Sequence, residues 1–322
     1  MTIFDSNRAI SSWYGEAVRA LTALGVDSPR TEALILCEHF FNIKGRAGLL
    51  IHSDDIPAPQ AAENFAEALT RREHRPLPYI LGRWEFMGMA LAVGEGVLIP
   101  RDDTVILAET AITITNAECG MRNAELDFGE ANSPHIGVRP FFHSEFRIPN
   151  PALKNVLDLC SGTGAVGLAV VRNCPAARCV LAELSEDALP YLRRNADEFG
   201  DGRAEVLVAD VLAGPTNLDM QFDLITANPP YIPTGDISGL SREVRQEPRL
   251  ALDGGPDGLV FYRIICKKWL AVLAPGGWLV VEVGIGQAED VAAMMQAAGL
   301  TEIAITPDLS DIPRVVAGKK IS

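Results

Sequence analysis

The residues best suited to chemistry lie in one short stretch, Thr226-Ala227-Asn228-Pro229-Pro230-Tyr231. It follows the apolar run 222–225, which is typical of a short buried strand. Two consecutive prolines cannot continue that strand, because each lacks the N–H that a ladder needs and fixes φ. The resulting stiff turn gathers the Asn228 side-chain carbonyl, backbone carbonyls and the Tyr231 ring around one small volume. Such a set suits a flat group that carries an NH2, since the ring can stack on its face while two acceptors take its hydrogens. If this stretch is considered alone, an ordinary turn at the end of a strand explains the prolines equally well.

A second set of candidate residues follows another apolar run, 155–159. Gly162 and Gly164 allow a tight bend and close approach to a ligand, and the helix that follows offers free N–H groups at its N terminus. Gly167 completes a G-x-G-x-x-G pattern, and Glu183 follows at the distance typical of nicotinamide-dependent dehydrogenases. An acid at the end of the second strand can bind both hydroxyls of a ribose. These residues therefore predict an adenosine-type ligand without choosing which one.

Two further acids favour S-adenosylmethionine. Asp158 precedes the glycines, where a carboxylate would be awkward beside a pyrophosphate but well placed near an aminoacyl ammonium group. Asp210 follows the third predicted strand, where it can accept from the exocyclic amine of adenine. Asp158 could also act as a turn or helix cap.

The elements that position these residues alternate regularly from Asn155 onward, with strands followed by helices. This alternation predicts an α/β fold with a doubly wound, mainly parallel sheet, in which ligands bind beyond the carboxyl ends of the strands. The predicted strands are 155–159, 178–181 (ending in Glu183), 204–208, 222–227, 277–283, and a hairpin of 302–306 with 314–317; the predicted helices are 165–173, 186–199, 259–273 and 288–298.

The N-terminal part has a different character. Residues 1–75 predict a small helical domain with amphipathic helices at 6–24, 28–41 and 60–73, which we interpret as a substrate-recognition domain. Residues 76–100 are punctuated by Gly and Pro and predict a linker with a β-hairpin. The catalytic domain is then expected at 101–322. Within it, Thr104 or Asp103 could cap a helix at 105–115, and 116–150 reads as an irregular insertion.

Composition limits the possible functions. Of the 322 residues 48% are hydrophobic, enough for a sizeable core, and the net charge of −14 argues against non-specific binding to nucleic acid. The six cysteines form no C-x-x-C pair, and the three histidines of the helical domain stand alone, so no metal is expected. With no signal peptide and no apolar run of about 18 residues, we predict a cytoplasmic protein with reduced thiols that is not bound to membrane.

The motifs together resemble the glutamine N5-methyltransferases that modify peptide chain release factors. The resemblance rests on Asp158-Leu-Cys-Ser-Gly-Thr-Gly164, on Asn228 to Ile237 and on Glu247 to Leu259, and upstream on 75–82 and on Val97-Leu-Ile-Pro-Arg101. It covers nearly the whole chain and implies a seven-stranded Rossmann-like methyltransferase sheet. The catalytic residues it implies are Asn228, Pro229, Pro230 and Tyr231; the cofactor-binding residues are Asp158, Cys160, Ser161, Gly162, Thr163, Gly164, Glu183, Asp210, Val211 and Asn228; and the substrate-binding residues are Pro100, Arg101, Asn228 and Tyr231.

The chain departs from the family pattern in three places, one of which is the irregular segment 116–150, which is longer than the resemblance leads us to expect. Cys160 stands where the family usually has Gly, and Val105 stands where a Glu usually follows the Thr. The resemblance implies S-adenosylmethionine as cofactor and, as partner, a class I release factor that presents the glutamine of a Gly-Gly-Gln loop. We expect the enzyme to be a monomer. The alternatives are a ribosomal-protein glutamine methyltransferase, a DNA adenine-N6 methyltransferase, which would need a basic groove not evident here, and a catalytically decayed docking protein.

Overall fold

The computed structural model describes residues 8–118, 154–216 and 218–321. The chain divides into two compact units, 1–82 and 83–322. Because the described residues leave out 119–153, most of the predicted insertion at 116–150 lies outside them. Its first three residues are not irregular, because they continue a helix that ends at Glu118.

The first unit consists of helices. They are α1 (Ile10–Ala23), α2 (Pro29–Phe41), α3 (Gly45–Ile51), α4 (Pro59–Arg71) and α5 (Leu77–Leu81). Three of them match the predicted helices, with ends that differ by up to four residues, whereas α3 and α5 were not predicted. The α3 sequence contains two glycines, which have low helix propensity, so the sequence does not predict a helix there. In the core of this unit the Trp13 and Phe65 rings meet edge to face, with centroids 5.7 Å apart.

The second unit contains a hairpin and a seven-stranded sheet. Its strands are β1 (Arg83–Phe86), β2 (Met89–Ala92), β3 (Lys154–Leu159), β4 (Ala177–Glu183), β5 (Ala204–Val208), β6 (Phe222–Ala227), β7 (Leu273–Glu282), β8 (Leu300–Pro307) and β9 (Pro313–Lys320); its helices are α6 (Thr104–Glu118), α7 (Ala165–Asn173), α8 (Leu189–Phe199), α9 (Val260–Lys268) and α10 (Ala288–Ala297). The strand order of the large sheet is β5-β4-β3-β6-β7-β9-β8. Five strands run parallel, and β9 is antiparallel to both of its neighbours, which confirms the predicted sheet and its terminal hairpin.

Helices cover both faces of this sheet. Successive strand residues alternate between two buried clusters: Val156 and Leu224 belong to one cluster, and their chain neighbours Leu157 and Ile225 belong to the other. The first cluster includes residues of α6 and α7, and the second includes residues of α9 and α10. Strands buried on both sides are expected in a doubly wound sheet, and the fold class is confirmed.

Within the second unit, a buried asparagine on α8 holds the β1–β2 hairpin in place. The Asn195 side chain on α8 accepts the N–H of Ala92 at 2.7 Å and donates to the carbonyls of Ala92 and Thr163 at 3.1 and 2.9 Å. One side chain therefore holds the hairpin, a helix and the glycine turn after β3 in a fixed arrangement. Among the described helices, none has the length and apolar character required to cross a membrane.

Candidate functional site

A pocket lies beyond the carboxyl ends of the parallel strands. Its walls include the turn after β3, the end of β4, the segment after β5 and the turn after β6, as the topology requires. The segment between the hairpin and α6 contributes Gly96, Val97, Leu98 and Pro100. Of the sequence-predicted site residues, the pocket is lined by Pro100, Asp158, Cys160, Ser161, Gly162, Thr163, Glu183, Asp210, Val211, Asn228 and Pro230. Arg101, Gly164, Pro229 and Tyr231 are not among its lining residues.

The three glycines of the motif, Gly162 and Gly164 in the turn after β3 and Gly167 in α7, have different structural roles. A Cβ added at Gly162 would come no closer than 3.9 Å to its nearest neighbour, so this glycine faces open space at the pocket wall. A Cβ at Gly164 would lie 2.9 Å from a Leu192 methyl, and one at Gly167 would lie 2.3 Å from a Leu181 methyl. Gly162 therefore leaves room for a ligand, whereas Gly164 and Gly167 allow close packing behind the turn.

Asp158 is a buried acid at the pocket wall. Its side chain accepts the Thr226 hydroxyl at 2.7 Å and the Gly167 N–H at 3.2 Å, and its carbonyl accepts the Ser161 hydroxyl at 2.7 Å. Burial raises the pKa of Asp158 to about 6, an effect that these hydrogen bonds partly oppose. The carboxylate is thus held in one orientation between β3, β6 and the start of α7.

Glu183 and Asp210 are also held by backbone groups. Glu183 accepts the N–H of Gly162 at Oε2 and those of Leu184 and Ser185 at Oε1, each at 2.8 Å. A carboxylate offers about four acceptor positions, so one remains on Oε2, enough for one ribose hydroxyl. Asp210 accepts the Leu212 N–H at 2.8 Å through Oδ1 and keeps its other oxygen available.

The pocket is electrostatically one-sided. Its described lining includes the carboxylates of Asp158, Glu183 and Asp210, and no Lys, Arg or His. Such a wall repels a pyrophosphate and attracts a cation. The residues therefore fit the positively charged S-adenosylmethionine and do not fit a nicotinamide dinucleotide, so the dehydrogenase interpretation is not supported.

Asn228 brings an amide to the same pocket. Its Nδ2 donates to the Thr104 hydroxyl at 3.1 Å. Pro230 lines the wall, while the Tyr231 ring lies next to Glu282, with its hydroxyl 3.5 Å from Oε1. The Tyr231 backbone carbonyl accepts from the Gln287 side chain at 2.9 Å, which fixes the turn that the two prolines begin.

Comparison with known proteins identifies the family. A family model described as "Methyltransferase small domain" matches residues 144–244, and one described as "PrmC N-terminal domain" matches residues 12–82. A relative from Geobacter sulfurreducens named release factor glutamine methyltransferase is 36% identical over 93% of this chain and 92% of its own length. A relative of the same name from Moorella thermoacetica is 36% identical over 88% of this chain and 89% of its own. The chain belongs to the release factor glutamine methyltransferase family.

The fold is shared with a solved structure of low sequence identity. The hMettl16 catalytic domain in complex with the MAT2A 3′UTR hairpin 1 matches with a TM-score of 0.52 at 12% identity, covering 81% of this chain and 83% of that chain. At this identity the likeness concerns the fold alone.

Cys160, the position at which the family resemblance implies Gly, adopts a left-handed conformation with φ of 55°. This region favours glycine, because a Cβ crowds the following carbonyl. Cys160 therefore occupies a backbone conformation to which glycine is better suited. Burial, together with the nearby carboxylates of Glu183, Asp158 and Asp210, raises the pKa of the Cys160 thiol well above its usual value.

Arg101 lies beside the pocket rather than in its wall. It pairs with Glu247, whose carboxylate also accepts the Ile99 N–H at 3.0 Å. The ion pair thus connects the Pro100 segment to the loop that follows Tyr231. From there Pro248, Leu250 and Ala251 contribute to the pocket wall.

Sequence reasoning missed several residues at the site. Thr104 was expected as a helix cap, but α6 begins at Thr104 itself and its hydroxyl bonds to Asn228. Phe261 lines the pocket, and Glu282 lies behind the Asn228 turn. Of these residues only Glu282 could have been identified from the sequence, since an acid near the end of the apolar run 278–283 is unusual and needs a partner.

Proposed function

We propose that this protein transfers a methyl group from S-adenosylmethionine to the side-chain amide nitrogen, N5, of a glutamine in a protein, and that this glutamine belongs to the Gly-Gly-Gln motif of a class I peptide chain release factor. The observation that carries the proposal is an Asn228 carboxamide at the wall of a pocket whose charged side chains are all acidic. Family membership and the names of its relatives support the same substrate.

The cofactor would be held by the three carboxylates. Asp158 would face the aminoacyl ammonium group, Glu183 would accept a ribose hydroxyl, and Asp210 would accept from the adenine amine, with Val211 beside the ring. When bound, S-adenosylmethionine supplies a methyl group on a sulfonium, which is open to attack by a nucleophile. The anionic wall favours this cation over its neutral product, so it also favours exchange after each turnover.

The turn after β6 would present the substrate amide. An amide nitrogen is a poor nucleophile, because its lone pair is delocalised into the carbonyl. The Asn228 side-chain oxygen and the Pro229 carbonyl would accept its two hydrogens, which raises electron density on nitrogen and directs it to the methyl group. Tyr231 would support the turn from behind. Methyl transfer leaves an excess proton on the amide nitrogen, which is acidic enough to leave to water without a strong base.

The helical unit would select the protein substrate. Its sequence matches the N-terminal domain model of the family over residues 12–82. We propose that this unit binds the release factor outside the Gly-Gly-Gln loop, while the sheet unit carries out the transfer.

The direct test is mass spectrometry of the release factor from the same organism after incubation with this protein and S-adenosylmethionine. We expect a gain of one methyl on the glutamine of the Gly-Gly-Gln loop. A release factor with Asn in place of that glutamine serves as the matched control and should gain none. Cofactor binding by calorimetry without any methyl gain would overturn the release factor as substrate, and would direct the search to other glutamine-bearing proteins such as those of the ribosome.

A further inference from the structure

The turn after β6 is held by the sheet at its entry but not at its exit. Pro229 and Pro230 have a fixed φ but no N–H, so neither can donate a hydrogen bond that would close the turn. At the entry, Ala227 pairs with a residue of β3 on one side and a residue of β7 on the other. The direction in which the chain leaves the turn therefore depends on contacts made from outside to Tyr231.

A glutamine directly before α10 makes such a contact. The Gln287 Nε2 donates to the Tyr231 carbonyl at 2.9 Å and also lies 3.5 Å from the Gly258 carbonyl. At the other end of the same amide, Oε1 accepts the Gly284 N–H at 2.9 Å. One side chain thus connects the turn after β6 with the turn after β7 and with the segment before α9.

These three neighbours require an amide at this position. The Gly284 N–H needs an acceptor, whereas the carbonyls of Tyr231 and Gly258 need a donor, and a carboxylate of the same size can only accept. The space is also filled, since a Cβ added at Gly258 would lie 2.3 Å from the Tyr231 oxygen and 2.6 Å from Nε2 of Gln287. The amide therefore has one orientation here, and the Tyr231 carbonyl is held in one position.

The backbone that carries Gln287 is anchored in the core. Its carbonyl accepts the Val291 N–H at 3.0 Å in the first turn of α10, and its N–H donates to the Gly284 carbonyl at 3.1 Å. Ala288 and Val291 are fully buried and belong to the same cluster as the strand residue Ile225. The position of the Gln287 amide is thus fixed relative to the sheet from which the turn emerges.

We propose that Gln287 is a positioning residue for methyl transfer, which holds the Tyr231 carbonyl and thereby keeps Asn228 and the Pro229 carbonyl in place for the substrate amide. Only Asn228, Pro229 and Pro230 lie between the last ladder pair and the held carbonyl, and two of the three have a fixed φ. Holding both ends therefore determines the conformation of the middle. The role in turnover rests on the function proposed above, whereas the contact between Gln287 and Tyr231 does not.

Two variants of Gln287 test this role. Gln287→Glu keeps the size and the acceptor for Gly284 but loses the donor, and because the side chain is partly exposed, the introduced carboxyl is ionised at about pH 8. Gln287→Met has a similar length and loses both hydrogen bonds without adding a charge. We expect both variants to lower kcat about tenfold or more with unchanged affinity for S-adenosylmethionine, since the geometry of the acceptors is lost rather than a cofactor contact.

Two further variants of α10 are the matched controls. Gln296→Glu makes the same chemical change at an exposed position of the helix. Val291→Ala shortens a fully buried side chain one turn after Gln287, so it destabilises the same helix without removing the amide. Both should keep the kcat of the wild type. Urea denaturation of all four variants then separates a loss of positioning from a general loss of stability.

The position of the Tyr231 carbonyl can also be measured without turnover. This carbonyl shares a peptide group with the N–H of Ile232, which donates to the Leu252 carbonyl at 3.0 Å. A hydrogen bond to a carbonyl shifts the amide signal of its own peptide group. In ¹H–¹⁵N spectra of protein labelled with ¹⁵N-isoleucine, we expect the Ile232 signal, assigned by its loss in Ile232→Val, to move in both Gln287 variants and to stay in place in Gln296→Glu.

The outcomes separate the two proposals. A wild type that transfers no methyl to the release factor, but whose Ile232 signal moves in the Gln287 variants, would reject the release factor as substrate and keep the contact to Tyr231. A wild type that methylates, with Gln287 variants of equal kcat or with an equal loss of kcat in Val291→Ala, would overturn the positioning role. An Ile232 signal that stays in place in both Gln287 variants would overturn the contact itself.

Discussion

Glu247 accepts the backbone N–H of Ile99 at 3.0 Å and pairs with the Arg101 guanidinium two residues further along. Its side chain is almost fully buried, whereas about a third of the Arg101 side chain is exposed. The residue between its two partners, Pro100, lines the pocket, and so does Pro248, which follows Glu247 directly. One carboxylate therefore holds together two segments of the pocket wall that are distant in sequence.

We expect Glu247→Ala to loosen this wall. The variant leaves the buried Ile99 N–H without its acceptor, which costs about 1–3 kcal/mol of the free energy of unfolding. Because both segments contact the pocket, the affinity for S-adenosylmethionine should also fall. Urea denaturation and calorimetry measure the two effects. Asp257→Ala breaks an exposed ion pair with Arg263 and serves as the control, which should leave cofactor affinity unchanged. Equal cofactor affinity in both variants would show that the wall does not depend on Glu247.

Asn228→Ala should abolish turnover and leave cofactor binding largely intact. In the function proposed above, the Asn228 side chain would supply the acceptor for the substrate amide, whereas the charged contacts to the cofactor would come from Asp158, Glu183 and Asp210. The checks are methyl transfer to the release factor and calorimetric titration with S-adenosylmethionine. A variant that turns over at the wild-type rate would be incompatible with the role given to Asn228.

Glu183→Gln should weaken binding of S-adenosylmethionine about tenfold or more. The glutamine keeps one acceptor oxygen but loses the charge, and charged hydrogen bonds contribute about 1.5–3 kcal/mol. Its NH2 group would also face the backbone N–H groups that Glu183 accepts. Glu186→Gln is the matched control, because Glu186 is exposed, lies three residues further along and does not line the pocket. If both variants bound the cofactor equally, Glu183 would not be a ribose ligand.

The parts of the molecule that could be predicted from sequence are those governed by local rules. An apolar run such as Phe222 to Ala227, followed by two prolines, locates a strand and also the residue at which the strand ends. Residues that lie at strand ends, such as Asp158 and Glu183, could be placed at one edge of the sheet because parallel strands end together. Their position at one pocket follows from topology alone.

The parts that could not be predicted depend on contacts between distant residues. Thr104 and Asn228 are 124 positions apart, and nothing local indicates that the threonine hydroxyl bonds to the amide instead of capping its helix. Gly164 illustrates the opposite case, since it fits the ligand-binding pattern but is required for packing against Leu192. The pattern identifies a glycine, whereas only the fold distinguishes room for a ligand from room for a side chain.

The conformation of Cys160 leads to a prediction about stability. At φ of 55° an L side chain is strained by about 1–2 kcal/mol, and glycine is not. Cys160→Gly should therefore be more stable than Cys160→Ala by about 1 kcal/mol, the reverse of the usual order of these residues. Thermal and urea denaturation of the two variants measure the difference. A more stable Ala variant would mean that the left-handed turn is not kept in solution.

The raised pKa of Glu282 predicts that stability falls as pH rises. The carboxyl titrates near 4.5 when exposed and at about 7 in the folded protein, because burial disfavours its charge. The folded state therefore holds the proton more tightly, and this contribution, fully present below pH 4.5, is lost as pH rises through about 7. At 1.36 kcal/mol per unit the loss is about 3 kcal/mol, and Asp158, raised to about 6, acts in the same direction.

Urea denaturation at pH 5 and pH 8 tests this prediction. The wild type should lose stability between the two values, and Glu282→Gln should lose about 2.5 kcal/mol less, since its amide does not titrate and part of the Glu282 contribution is already lost at pH 5. The exposed Glu186→Gln variant should follow the wild type. If the stability of Glu282→Gln depended on pH as that of the wild type does, the group that binds the proton in the folded state would not be Glu282.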